Sequence, residues 1–156
     1  MRFAPILSVI AAFLLAALPL PDSIVAFKPD WVALTLIYWT LTAPPAFGLV
    51  SAFFIGLALD TLSGSLLGQH ALGFVLIVYI CGKFRLRLRA FPVVQSTLIV
   101  AALLAVNEFL LLWIDGIAGR TVPLGERWPP IASGTLLWII VWSTFDRGRE
   151  HAPARL

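Results

Sequence analysis

GLALDTLSGSLLGQHAL, Gly56 to Leu72, sets an aspartate, two serines, a glutamine and a histidine inside a chain that is otherwise overwhelmingly apolar. Hydrophobic segments of helix length run on both sides of it, so the way its polar residues are accommodated decides the architecture. Of the 156 residues 60% are hydrophobic and 12% charged, with a mean hydropathy of +0.97. Ordinary soluble domains carry about 45–50% apolar and about 25% charged residues. The composition is that of an all-α integral membrane protein, whose helices satisfy their own backbone hydrogen bonds. Its length suits one transmembrane domain, residues 1–156, and leaves no room for a second soluble one.

Working outward, charged and proline-bearing breaks divide the chain into six apolar segments. These are Phe3–Leu20, Trp31–Ala43, Ala46 to about Leu62, about Leu67 to Gly82, Phe91–Ile114 and Ile131–Phe145. The basic start and apolar middle of MRFAPILSVIAAFLLAALPLPDS also fit a cleaved signal peptide. A retained first helix is the better reading, because Phe3–Leu20 has spanning length and no A-x-A site precedes Asp22. The second segment is short, between Pro29 and Pro44–Pro45, at about 20 Å of helix against a hydrocarbon core of about 30 Å. Asp30 of PDW is placed to cap it, and Trp31 to anchor its end. Cys81 has no second cysteine to pair with and reads as a small packing residue.

Six spans put both termini on one side, together with KFRLRLR, Lys83 to Arg89. That side carries Arg2, Lys83, Arg85, Arg87, Arg89, Arg147, Arg149 and Arg155, against Lys28, Arg120 and Arg127 on the other. The positive-inside rule therefore predicts cytoplasmic termini and a cytoplasmic basic loop facing acidic lipid headgroups or a cytoplasmic partner. Trp31, Trp113 and Trp128 then fall near the outer interface, where indole rings prefer to sit. The net charge of +3 is collected between hydrophobic segments, which excludes a nucleic-acid footprint.

A charge at the membrane centre costs at least about 2.5–3.5 kcal/mol, so ionisable residues inside apolar segments are the informative ones. Asp60 and Glu108 fall at similar depth in the outer half, and His70 can reach that level. Two readings stand side by side. In one, an acid hydrogen-bonded to Ser63, Gln69 or Asn107 fixes helix packing. In the other, Asp60, His70, Asn107 and Glu108 converge on an outward-facing cavity or partner groove. Gly48, Ala52, Gly56, Asp60, Gly64 and Gly68 recur at every fourth position, a narrow stripe that lets another backbone approach, within this subunit or from a partner. Alternatively Gly64 and Gly68 break the helix as turn residues, with Ser65 or Gln69 bonding freed backbone groups.

Enzymatic readings lack support. Paired acids suggest an aspartyl protease, and Ser63 with His70 a hydrolase, but neither has its motif. No P-loop, H-E-x-x-H, cysteine pair or nucleotide fingerprint occurs, so no metal or cofactor is expected.

KPDW (Lys28–Trp31), IYW (Ile37–Trp39), the Gly56–Leu72 stretch, the basic loop and NEFLLLW (Asn107–Trp113) together resemble the rod shape-determining protein MreD family, from Lys28 to Gly119. The central G-L-x-x-D-x-x-x-G-x-x-L-G-x-x-A-L pattern is the more specific part, and the first and last spans match only in hydrophobicity. The resemblance implies a non-enzymatic inner-membrane scaffold of the bacterial cell-elongation machinery. It implies partners too: an MreC-type single-pass protein with a periplasmic domain, the MreB filament system and the peptidoglycan synthases. It also implies a fold similar to the six-helix substrate-binding subunits of energy-coupling-factor vitamin transporters, and its motif positions are Asp60, Gly64, Gly68, Gln69 and His70. A homodimer is a further expectation. The rival reading is a substrate-binding subunit of a vitamin uptake transporter, although no ligand-specific motif is present. Ala12 and Ala16 have the spacing such subunits use to dock a coupling protein, which an alanine-rich helix also produces by chance.

Overall fold

The computed structural model of the chain describes residues 3–43, 47–120, 123, 125 and 127–150, with the side chains of Asp22 and of 144–150 left aside. Arg2, Pro44, Pro45, Ala46 and Arg155 lie outside the described residues, as do the side chains of Phe145, Arg147 and Arg149. Among the described residues every regular element is a helix: α1 Ala4–Ala17, α2 Asp22–Val25, α3 Trp31–Thr42, α4 Leu49–Ser63, α5 Gln69–Ala90, α6 Val93–Ile117 and α7 Pro129–Glu150. The six longer helices lie where the six apolar segments are. The short α2 has no counterpart among them.

Local chemistry explains the helix ends. Pro5 opens α1, where its missing N–H is not needed. The Asp30 carboxylate accepts from the Ala33 N–H at 2.9 Å and caps α3, as PDW predicts. Gly64, in the left-handed region at φ +63°, terminates α4, and the Ser65 N–H turns back to the Asp60 carbonyl at 3.1 Å.

The basic segment corrects an expectation. KFRLRLR is not a loop: Lys83, Arg85, Arg87 and Arg89 lie on the last turns of α5, which runs on to Ala90. Straight-chain Lys, Arg and Leu are good helix formers, and cations at a helix C-terminus complement its dipole. The helix stops just before Pro92, which starts α6.

The short α3 is the most enclosed element. Val32, Ala33, Leu36 and Ile37 are wholly buried, because α3 packs on α1, α5 and, more lightly, α7. A helix surrounded by its neighbours need not match the bilayer by itself. Successive helices α4, α5, α6 and α7 pack in sequence. The α4–α5 hairpin is the tightest: a Cβ added to Gly56 would lie 2.2 Å from Ala71 Cα. At the opposite end Trp138 stacks on Trp142, centroids 5.6 Å apart, and donates its indole N–H to Ser96 Oγ at 3.2 Å.

Outside this core the surface is apolar. Leu14, Val50, Phe54, Leu67, Leu86, Val94, Phe109, Trp113 and Ile140 are all exposed. One helix among the described residues, Val93–Ile117, is both long and apolar enough to cross a membrane; α1, α3, α4 and the Pro129–Ser143 part of α7 are apolar but shorter.

Candidate functional site

The polar residues of Gly56–Leu72 are drawn into a single structure around Asp60, which is completely buried. Its Oδ1 accepts from Ser65 Oγ at 2.7 Å, the His70 N–H at 3.0 Å and His70 Nδ1 at 2.7 Å, and its Oδ2 accepts from the Gly68 N–H at 2.8 Å. Gly68 and His70 stand at the start of α5, so Asp60 caps that helix from the end of α4. First-turn N–H groups have no partner inside their own helix, and a carboxylate there also meets the positive end of the dipole. The chain reaches this geometry through Gly64 at φ +63° and Gly68 at φ +98°, values that glycine adopts without a Cβ penalty.

Asp60 thus joins α4 to α5 within this chain, and its hydroxyl partner is Ser65; Ser63, Gln69 and Asn107, the partners expected for it, do not bond it. Ser63 is exposed on the last turn of α4. The four-residue stripe divides accordingly: Gly48 is the N-cap of α4, Ala52, Gly56 and Asp60 are buried along it with Gly56 against the Ala71 backbone, and Gly64 and Gly68 are turn residues.

A second group ties α5 to α6. Gln69 donates to the Leu111 carbonyl at 3.2 Å and to Asp115 Oδ1 at 3.0 Å. One turn further on, Gly73 makes room for Asn107, whose Oδ1 would lie 2.0 Å from an added Cβ. Asn107 Nδ2 donates to Asp30 Oδ2 at 3.3 Å, so the carboxylate that caps α3 also holds α6. Lys28 completes KPDW by donating to the Ala16 carbonyl and, at 3.1 Å, to that of Leu18, which closes the C-terminus of α1.

The third group lies where α6 approaches α7. Arg127 pairs with Asp115 and, at 3.8 Å, with Glu108. Glu108 and Arg127 also line a cavity of about 240 Å³ with Ala105, Phe109, Leu112 and Trp128. Glu108 and Asp60 share no hydrogen bond: Asp60 is held by Ser65, Gly68 and His70, and Glu108 faces Arg127. Among the described residues no three His, Cys, Asp or Glu side chains are grouped as a metal site requires.

In the sequence Lys28 and Arg127 carry weight only for topology and, for Lys28, as part of KPDW; nothing there marks them or Asp115 as members of a polar cluster. Asp115 and Arg127 sit at the ends of apolar segments, where charge is ordinary, and their pairing depends on how α6 and α7 are rotated. The polar layer as a whole lies at the bundle end that carries Trp31, Trp113 and Trp128.

Among the described residues every regular element is a helix, aliphatic and aromatic side chains face outward, and Asp30, Asp60, Glu108 and Asp115 are enclosed between helices, which is consistent with a helical membrane protein. The profile of the family described as rod shape-determining protein MreD matches residues 1–145. The chain is also 32% identical, over 106 residues, to the rod shape-determining protein MreD of Haemophilus influenzae. That match covers 68% of this chain and 65% of the relative, just under two thirds of its length. The chain belongs to the MreD family. No solved structure matches it.

Proposed function

We propose that the chain is a six-span, non-enzymatic scaffold of the bacterial inner membrane, with both termini cytoplasmic. In this reading it serves rod cell shape by binding an MreC-type single-pass protein and so helps organise peptidoglycan synthesis with the MreB filament system. The family match over residues 1–145 is the observation that carries this reading. The geometry supports it by what it leaves available. Asp60, Gln69 and Asn107 are buried between the subunit's own helices, so recognition falls to outward apolar faces such as Leu62, Leu67, Phe109 and Trp113. Helix association in lipid rests on close van der Waals packing of such faces.

Photo-crosslinking in cells tests the proposal. A benzophenone side chain at Leu67 or Phe109 is expected to capture an MreC-type protein, while the same group at buried Phe74 gives no adduct. Depletion supplies the second arm: cells are expected to round up. Preserved rods together with lost vitamin uptake would replace the scaffold with a transporter subunit.

A further inference from the structure

Beside the C-terminal end of α3 lies an open groove of about 300 Å³, lined by Thr40, Phe47, Leu49, Val78, Tyr79 and Lys83. Gly48 and Gly82 border it, and a Cβ added at either would meet nothing within 4 Å. Three independent features describe what would fill it.

The first is a hydroxyl without a partner. Thr35, Thr42, Thr97 and Thr135 each donate to the carbonyl four residues back, at 2.6–2.8 Å. Thr40 is only 3% exposed, and its Oγ1 is buried with no hydrogen-bond partner among the described residues. A buried hydroxyl left this way costs free energy that an acceptor in the groove would recover. The second is charge. Lys83 is exposed, with its ammonium 5.8 Å and 5.9 Å from the ring centres of Tyr79 and Phe84. Neither Trp31–Leu59 nor Thr61–Asn107 contains an acidic residue, so the stretches that line the groove bring no carboxylate to Lys83. The third is the apolar wall of Phe47, Leu49 and Val78. The groove thus brings together a hydrocarbon surface, a hydrogen-bond donor and a cation.

We propose that this groove binds one anionic phospholipid. An acyl chain lies along Phe47, Leu49 and Val78, an ester carbonyl accepts from Thr40, and the phosphate meets Lys83. The site requires only that the chain sits in a bilayer, so it stands or falls separately from the scaffold reading. At about 300 Å³ the groove is at the small end of ligand sites and suits one chain and the glycerol region rather than a whole lipid.

The test uses the full chain in nanodiscs of equimolar phosphatidylglycerol and phosphatidylcholine with identical acyl chains, followed by native mass spectrometry of retained lipid. Wild type is expected to keep phosphatidylglycerol in preference. Lys83→Ala should lower the ratio of retained phosphatidylglycerol to phosphatidylcholine about fivefold, the effect of one basic residue near an anionic surface. Gly82→Leu and, separately, Gly48→Leu should strip the lipid with every cation still present, and circular dichroism should show unchanged helicity. Arg120→Ala, at the opposite end of the bundle, should leave the ratio alone. The proposal is overturned if wild type shows no preference, if both glycine variants retain phosphatidylglycerol at the wild-type level, or if Arg120→Ala acts as strongly as Lys83→Ala.

Discussion

Asp60 joins two helices through hydrogen bonds to groups five to ten residues further along the chain. Asp60→Asn keeps the volume but turns one acceptor into a donor that faces other donors. The expected cost is about 2–3 kcal/mol, as for a buried group left unsatisfied. Amide exchange at Gly68 and His70 is the direct measurement: both should speed up at least about tenfold, while amides at the Trp138 end stay protected. Gly64→Ala is milder, about 1–2 kcal/mol, because the price is the left-handed backbone alone. Asp60 and the two glycines were legible in the sequence because a lone acid between turn-forming glycines inside an apolar run has few uses. The choice of Ser65 over Ser63 was not, since it depends on where α4 ends.

Helices α4 and α5 are held together by backbone contact, and this sets the cost of their glycines. At Gly56 the obstacle is the Ala71 backbone, so even Gly56→Ala must push the helices apart; a loss of about 3 kcal/mol or more is expected as a drop in detergent melting temperature. At Gly73 the obstacle is the movable Asn107 side chain. Gly73→Ala should therefore cost less, and adding Asn107→Ala should restore part of the loss; additive losses in that double-mutant cycle would count against the contact. The six apolar segments were readable from hydropathy, but the extent of α5 was not. Charge marks the end of an apolar run, whereas a helix ends where its backbone must, here at Pro92.

For the molecule as a whole, the polar layer lies at one end and the basic turns of α5 with the Trp138–Trp142 stack at the other. The proposed orientation predicts that a cysteine replacing Arg120 reacts with membrane-impermeant maleimide in intact spheroplasts, and one replacing Arg87 only after permeabilisation. The reverse pattern would invert the topology. Arg127 links α6 to the start of α7 through Asp115 and Glu108. Arg127→Met leaves those acids without their cation and is expected to cost about 3–5 kcal/mol. In a thermal melt, Arg127→Met with Asp115→Leu should recover part of that loss.

The sequence by itself determined the helical class and the places of the six longer helices, though not the short α2, because hydrophobic run length is a property of each segment without reference to neighbouring helices. It also marked Asp60, Gln69, His70, Asn107 and Glu108 as residues whose polarity needs a reason. Only the tertiary structure decided what that reason is. Which donors reach Asp60, that Asp30 serves both α3 and α6, and that Thr40 opens onto a groove beside Lys83 all depend on the rotation and spacing of helices distant in the chain. Periodicity within one helix carries no record of those quantities.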